Sequence, residues 1–304
     1  MSARPAASEQ GHPKPKITVL TFQEKHDRGE AIAMATAHDH PTARALEAAG
    51  IDGILVGDSL AMVALGHPDT LSVTMDEMLH HARAVSRGAR TPLLVGDLPF
   101  MSYQASVEHA IRNAGRFLQE AGMDAVKLEG GRPVAESVRG ITRAGIPVMG
   151  HLGLTPQSVK ELGGFKVQGR TAASAKTLLE DALALEDAGC FALVVEAVPA
   201  RLAAFVAERL HIPTIGIGAG AGTSGQVLVS HDLLGVSDGF TPKFAKRYAE
   251  LHVEVARALA AYRDEVKARA FPAPEHTYAM PDEEWAAFLA SLPAAGRRGR
   301  LKAR

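Results

Sequence analysis

One cysteine, Cys190, stands alone among 304 residues, so the chain can build neither an intrachain disulfide framework nor a cysteine-based zinc cluster. At the start of an apolar run it reads as a buried core thiol. Charge of one sign is equally scarce: 33 Lys and Arg face 34 Asp and Glu, a formal net charge of -1. That balance excludes the basic footprint of a nucleic-acid binder and any attraction to an acidic membrane surface. No apolar run approaches the ~20 residues of a bilayer span, and the first residues lack an apolar signal core, so a cytoplasmic protein without a membrane partner is expected. A small neutral or anionic ligand is the partner class that remains.

What the chain does contain is a repeated unit: an Ala-rich helical pattern, a small residue with Gly, then a short apolar run. The joints read EAAGIDGILVG, QEAGMDAVKLEG, RAGIPVMGH and EDAGCFALVVEA, each with Gly where a helix C-cap needs positive φ. Apolar runs without polar alternation, bounded by helices, are what parallel strands covered on both faces require. Candidate strands fall at 31–36, 53–57, 92–96, 125–128, 147–150, 192–195 and 214–218, with a weak eighth, LLGVS, near 233–237. Eight strands in this alternation predict an α/β protein, a single-domain (β/α)₈ TIM-type barrel. Helix starts are marked by Thr74 with Glu77, a capping box, and by Ser106. A closing helix is expected from Phe244 to about Ala268.

The domain reading is a disordered leader over 1–16, rich in Pro, Ala and polar residues, and a barrel over 17–268. A C-terminal extension follows over 269–304, containing the single tryptophan, Trp285, and ending in the solvated basic tail AAGRRGRLKAR.

Five of the apolar runs end in groups able to bind metal or move protons. ILVGDSL delivers Asp58 and Ser59, LLVGDLPF delivers Asp97, AVKLEGG delivers Lys127 and Glu129, PVMGHLGLTP delivers His151, and ALVVEAVP delivers Glu196. In a barrel all strand C-termini point the same way, so these endings meet on one rim. A single Asp after a strand often only caps a helix. Three acids on one rim, Asp58, Asp97 and Glu129, form a hard-oxygen set suited to Mg²⁺, and a cation would relieve their mutual repulsion. Lys127 lies two residues before Glu129, so both project to one side of the strand. Either it forms a structural pair with a carboxylate or it binds an anionic substrate such as a 2-oxo acid. Glu196 ends an apolar run, and an apolar surround favours the base strength that a weak carbon acid demands. His151 is the least decided member, as fit for a structural hydrogen bond as for a secondary catalytic role.

The run IGIGAGAGTSG matches GxGxxG at Gly220, Gly222 and Gly225. The next apolar run follows too soon, and no acid ends a second strand at the required distance, so a dinucleotide site is disfavoured and a tight pocket wall is expected. GGFKVQGR, with three glycines around Phe165, reads either as a mobile cover or as an ordinary surface loop.

The motifs TAHD, VGDSLAM, GHPDTLSVTMDEM, DLPFMSY, VKLEGG, GHLGLTPQSV, GGFKVQGR, EAVP, IPTIGIGAG and GQVLVSHD stand in collinear order from about Ile17 to Glu284. Together they resemble the ketopantoate hydroxymethyltransferase family. The resemblance implies a phosphoenolpyruvate mutase/isocitrate lyase-like barrel that transfers a hydroxymethyl group from 5,10-methylenetetrahydrofolate to 3-methyl-2-oxobutanoate, giving 2-dehydropantoate. It implies one Mg²⁺ per subunit on Asp58, Asp97 and Glu129. Asp58, Ser59, Asp97 and Lys127 match the oxo-acid contacts, Glu196 matches the catalytic base, and a homo-oligomer, typically a decamer, is implied. The chain departs from the family pattern at His38, where Tyr is common, and at Ser224, where Asp is common. The other readings are a Mg²⁺-dependent carbon–carbon lyase or phosphonomutase on a similar barrel, an NAD-linked oxidoreductase, and a non-catalytic binder.

Overall fold

The structure, a computed structural model, describes residues 15–239 and 241–292. The basic tail lies outside the described residues, as does the expected leader apart from Pro15 and Lys16. Lys16 pairs with Asp124 at 2.6 Å and donates to the carbonyl of Pro92 at 2.8 Å.

In chain order the first half comprises α1 (Val19–Asp27), β1 (Ile32–Thr36), α2 (His40–Ala49), β2 (Gly53–Val56), α3 (Leu60–Val63), α4 (Met75–Gly88), β3 (Leu93–Asp97), α5 (Val107–Ala121), β4 (Ala125–Lys127) and α6 (Ala135–Arg143). The second half comprises β5 (Val148–Gly153), α7 (Val159–Leu162), α8 (Ala172–Asp187), β6 (Ala192–Glu196), α9 (Ala200–Ala207), β7 (Thr214–Ile217), β8 (Gly225–Leu228), α10 (Ser230–Leu234), α11 (Leu251–Lys267) and α12 (Asp282–Ser291). Each strand pairs in parallel with the next, and β8 pairs with β1, closing the (β/α)₈ barrel. Thr74 and Glu77 form the capping box of α4, and Ser106 caps α5. The four joint glycines, Gly50, Gly122, Gly145 and Gly189, all hold positive φ, which a side chain would strain.

Two apolar layers sandwich the strands. One fills the barrel with Met34, Leu93, Val95, Met149, Val194 and Ile215; the other seals the helices onto its outer face around Val56, Leu79, Phe117 and Leu185. The floor comes from α1, an element the strand count does not reveal. Phe22 packs beside Gly53 at the start of β2, Gln23 donates to the carbonyl of His211 before β7, and His26 meets Ser224 before β8. With its N-terminal end plugged, the barrel opens only toward the strand C-termini.

The eighth strand is not LLGVS but GQVL, Gly225–Leu228. Gly225 pairs with both Ile32 and Ile215, and a Cβ there would come within 2.3 Å of the Ile32 carbonyl oxygen, so the strand can begin only at glycine. The apolar Leu233 and Leu234 instead end α10, which Gly235 terminates at φ 59°. The closing helix begins at Leu251 rather than Phe244. Contacts divide the chain after Glu250. In the second unit neither α11 nor α12 buries a residue.

Candidate active site

Register places the functional side chains. Asp97 stands opposite Lys127 across β3 and β4, His151 opposite Val194 across β5 and β6, and Glu196 opposite Ile217 across β6 and β7. Lys127, which points into the barrel, sits 2.8 Å from Asp97 Oδ1 and 3.8 Å from Glu129 Oε1. His151 joins the two sides of the rim: Nδ1 lies 3.2 Å from Glu129 Oε1 and Nε2 lies 3.1 Å from Glu196 Oε2. Asp58 enters through its backbone N–H, which donates to Asp97 Oδ2 at 3.2 Å. Ser59 follows it with a buried hydroxyl that has no hydrogen-bond partner among the described residues. All seven candidate residues line one cavity of about 450 Å³.

The cavity is divided by chemistry. Its charged candidate groups come from the ends of β2 to β6, while Leu55, Val194, Ile217 and Val227 supply apolar lining. Phe165, Lys166 and Val167 of GGFKVQGR stand at the lining together with Pro242, Lys243 and Phe244. The glycine loop is not the pocket wall expected of it: Gly220 and Gly222 abut Ala200 and Ala204 of α9, where a Cβ would come within 2.5 and 2.6 Å. Their smallness serves helix packing.

Burial sets the protonation of this cluster. It pushes the Asp58 carboxyl well above the usual carboxylate range, and the neighbouring Asp97 and Glu129 add to the effect. Burial also raises Asp97, against the pull of Lys127. Glu129 is held low: burial opposes its charge, but His151, Lys127 and the backbone N–H of Gln157 outweigh it. For His151, burial and Lys127 disfavour the cation, yet hydrogen bonds to Glu129 and Glu196 push it up to about 9. The Lys127 ammonium also reaches His151 Nδ1, at 3.3 Å, so that nitrogen stands between Lys127 and Glu129. The apolar surround expected for Glu196 is therefore replaced at its carboxylate by His151.

With four carboxyl groups against the cations Lys127 and His151, full ionisation leaves two negative charges in excess. A raised Asp58 meets part of that excess with a proton; a dication would meet all of it. Among the described residues no three His, Cys, Asp or Glu side chains yet converge on a single metal position. The donor chemistry nevertheless fits a hard cation. Asp58 Oδ1 takes no hydrogen bond among the described residues, and the remaining donors are carboxylate oxygens.

Two residues of this cluster were not singled out in the sequence, Gln157 and Tyr103. Gln157 is buried, donates from Nε2 to Asp58 Oδ2 at 2.9 Å, and offers its backbone N–H to Glu129 Oε2 at 2.9 Å. The Tyr103 hydroxyl lies 2.7 Å from Gln157 Oε1. Both stand in quoted motifs, DLPFMSY and GHLGLTPQSV, but only the folded barrel shows what they touch.

The departures from the family pattern lie off this cluster. Ser224 accepts from the backbone N–H of Thr214 at 3.1 Å and belongs to the floor. His38 is buried with neither ring nitrogen hydrogen-bonded among the described residues, its ring 5.4 Å from that of His231. Burial, then His231 and His81, push it down to about 3, against a small opposing pull from Asp39. The unfolded chain therefore takes up a proton below about pH 6.5 that the folded chain refuses, so His38 destabilises the fold in acid by up to about 1.4 kcal/mol per pH unit. His38→Phe should flatten the loss of denaturation free energy between about pH 7 and about pH 5. An unchanged slope would show that His38 is not the group responsible.

A family model described as ketopantoate hydroxymethyltransferase matches residues 16–274. A protein of Oleidesulfovibrio alaskensis named 3-methyl-2-oxobutanoate hydroxymethyltransferase is 60% identical over 253 residues, 83% of this chain and 88% of its own length. One of the same name from Nitratidesulfovibrio vulgaris is 54% identical over 297 residues, 98% of this chain and 95% of its own. Among solved structures, phosphoenolpyruvate phosphomutase from Streptomyces platensis superposes with a TM-score of 0.57 at 17% identity, covering 90% of this chain and 96% of that one. A 2,3-dimethylmalate lyase described as a PEP mutase/isocitrate lyase superfamily member gives 0.54 at 13% identity, covering 90% and 98%. At such identities these last two likenesses show the fold alone.

Proposed function

Because the chain belongs to the ketopantoate hydroxymethyltransferase family, it is a one-carbon transferase acting on 3-methyl-2-oxobutanoate in the first step of pantothenate synthesis, and we propose how its barrel rim does this. The observation that carries the reading is the position of Glu196, held 3.1 Å from His151 Nε2 on the rim of the cavity that also presents Ser59 and Lys127. Asp58 and Asp97, with Glu129 completing the set, would hold one Mg²⁺. When bound, the ion supplies Lewis-acid polarisation of an oxo acid. Lys127 and Ser59, together with the Asp58 and Asp97 edge, orient the carboxylate and oxo oxygens of the substrate, and the ammonium faces the charge that develops on the oxo oxygen. The apolar wall of Leu55, Val194, Ile217 and Val227 receives the isopropyl group and keeps water from it. Glu196 takes the C3 proton. One C–H bond of the oxo acid, both C–N bonds of the methylene of 5,10-methylenetetrahydrofolate and one O–H bond of water break; one C–C and one C–O bond form, and the two protons released end on the two nitrogens of the tetrahydrofolate that leaves.

The test is exchange of the C3 proton of 3-methyl-2-oxobutanoate in heavy water, followed by NMR with Mg²⁺ and without folate. Exchange that stops on chelation is expected, with hydroxymethylated product appearing only when the folate donor is added. No exchange in the metal-loaded protein would remove the base, and exchange indifferent to chelation would remove the metal. The lyase, mutase and oxidoreductase readings have no comparable observation in their favour.

Assembly and location belong to the same reading. Exposed Leu259 and Tyr262 on α11 and Trp285 and Phe288 on α12 offer apolar surface to copies of the chain in a homo-oligomer, which we take to be a decamer. A monomer in sedimentation at working concentration would contradict it. No helix among the described residues is long and apolar enough to cross a membrane. We place the enzyme in the cytoplasm; recovery of its activity in a membrane or secreted fraction would count against that.

A further inference from the structure

Gln157 lies just beyond β5, in the turn formed by Pro156–Ser158, and is 4% exposed. Its amide orientation is fixed by its neighbours. The carbonyl oxygen of Leu98, 2.9 Å away, can only accept, so Nε2 must face it. The second hydrogen of Nε2 then points to Asp58 Oδ2, also at 2.9 Å. On the opposite side Oε1 lies 2.7 Å from the Tyr103 hydroxyl. That hydroxyl accepts from the backbone N–H of Glu129 at 3.2 Å, and Oε1 is the nearer of the two acceptors for its own hydrogen. The Glu129 carbonyl, 3.0 Å from the same hydroxyl, competes for that hydrogen, and Gln104 Nε2 reaches Oε1 at 3.4 Å.

A single residue therefore commits one oxygen of each of two carboxylates. The side chain occupies Asp58 Oδ2, and the backbone N–H occupies Glu129 Oε2 at 2.9 Å. What stays available is Asp58 Oδ1, on the side of the cavity that Asp58 lines, and Glu129 Oε1, turned toward Lys127 and His151. Since both acids come from different strands, nothing in either strand fixes the rotation of the Asp58 carboxylate about its own axis. The only side chain hydrogen-bonded to it among the described residues is Gln157.

We propose that Gln157, oriented by Tyr103, is a positioning residue that selects the oxygen of Asp58 presented to a divalent cation. This rests on the metal reading of Asp58, Asp97 and Glu129 given above. It also makes the tyrosine a member of the site without contact to cation or substrate. Groups that orient carboxylate ligands typically change metal affinity by about 10- to 100-fold when removed.

The probe is Mn²⁺ alone, titrated into the full chain and followed by electron paramagnetic resonance, with thermal unfolding in parallel. Gln157→Leu keeps the backbone N–H on Glu129 and removes the amide, so Mn²⁺ should bind about 10- to 100-fold more weakly. Tyr103→Phe, which removes the shortest hydrogen bond to Oε1 and leaves Leu98 and Asp58 on Nε2, should weaken binding in the same direction by less. At saturating Mn²⁺ the turnover of Gln157→Leu should return toward that of the parent, as a general loss of structure would not allow. If Gln157→Leu does not fold, Tyr103→Phe and Gln157→Asn, whose shorter amide cannot span Leu98 and Asp58, carry the same comparison. Folded variants that bind Mn²⁺ within twofold of a parent that binds it well would overturn the positioning role alone. A parent that binds no Mn²⁺, or binds it undiminished after Asp58→Asn, would overturn the metal reading and this inference with it.

Discussion

Glu196→Gln is expected to slow C3 proton exchange in 3-methyl-2-oxobutanoate by about 10²- to 10⁴-fold, the range that a positioned general base contributes. The substitution is chosen so that little else changes. A glutamine oxygen can still accept from His151 Nε2, which now stands 3.1 Å from Glu196 Oε2, so the imidazole keeps a partner. The side chain is 14% exposed, at the edge of the cavity rather than in its packed interior, so folding stability should stay within about 1 kcal/mol of the parent. Binding of the oxo acid, read by its effect on thermal unfolding, should persist if Ser59 and Lys127, which line the same cavity, make the proposed contacts. An exchange rate within a few-fold of the parent would mean that the proton leaves to another group. His151, whose Nε2 lies 3.1 Å from Glu196 Oε2, would be the next group to substitute.

The site was legible in outline because its residues end strands of one parallel sheet. Alternation puts Lys127 and Glu129 on one side, and a barrel sends every strand end to one rim, so sequence order and spacing suffice to gather seven side chains. Pair geometry was not legible. His151 looked the least committed of the group, yet it sits between Glu129 and Glu196, a relation set by how far β4, β5 and β6 are staggered. Gln157 and Asp58 are 99 positions apart, and no local pattern links them. The strands were located to within a residue at each end wherever helix, glycine joint and apolar run came in sequence, except that β5 runs three residues past its expected end, to Gly153. β8 escaped because its first residue is a glycine that the Ile32 backbone demands, in a stretch that otherwise looks like a loop. The floor helix α1 escaped because it carries one fully buried side chain, Phe22, and a weak apolar face.

Lys127→Met should cost about 3–5 kcal/mol of folding stability near neutral pH, the range found when one partner of a buried ion pair is removed. Methionine matches the aliphatic stem, so the loss isolates the charge. Lys127 is 3% exposed, and its ammonium lies between Asp97 and Glu129, which are themselves buried. Burial pulls its own pKa down, but the three carboxylates around it win and raise it. Its contribution is thus fully present below the unfolded lysine value and is lost only in strong alkali, so the parent gains no pH dependence from it between about pH 5 and about pH 8. The variant behaves otherwise. Asp58 and Asp97 already stand above the usual carboxylate range, and without the ammonium they rise further. A folded state that keeps protons which the unfolded state has released loses stability as pH rises above the unfolded carboxylate value of about 4. The deficit of Lys127→Met should therefore be small at about pH 5 and complete at about pH 8 in chemical denaturation. Equal deficits at both would mean that the lysine stem, not its charge, holds this end of the barrel together. A deficit confined to high pH would show that the same charges which prepare the rim for its substrate also make Lys127 a condition of folding.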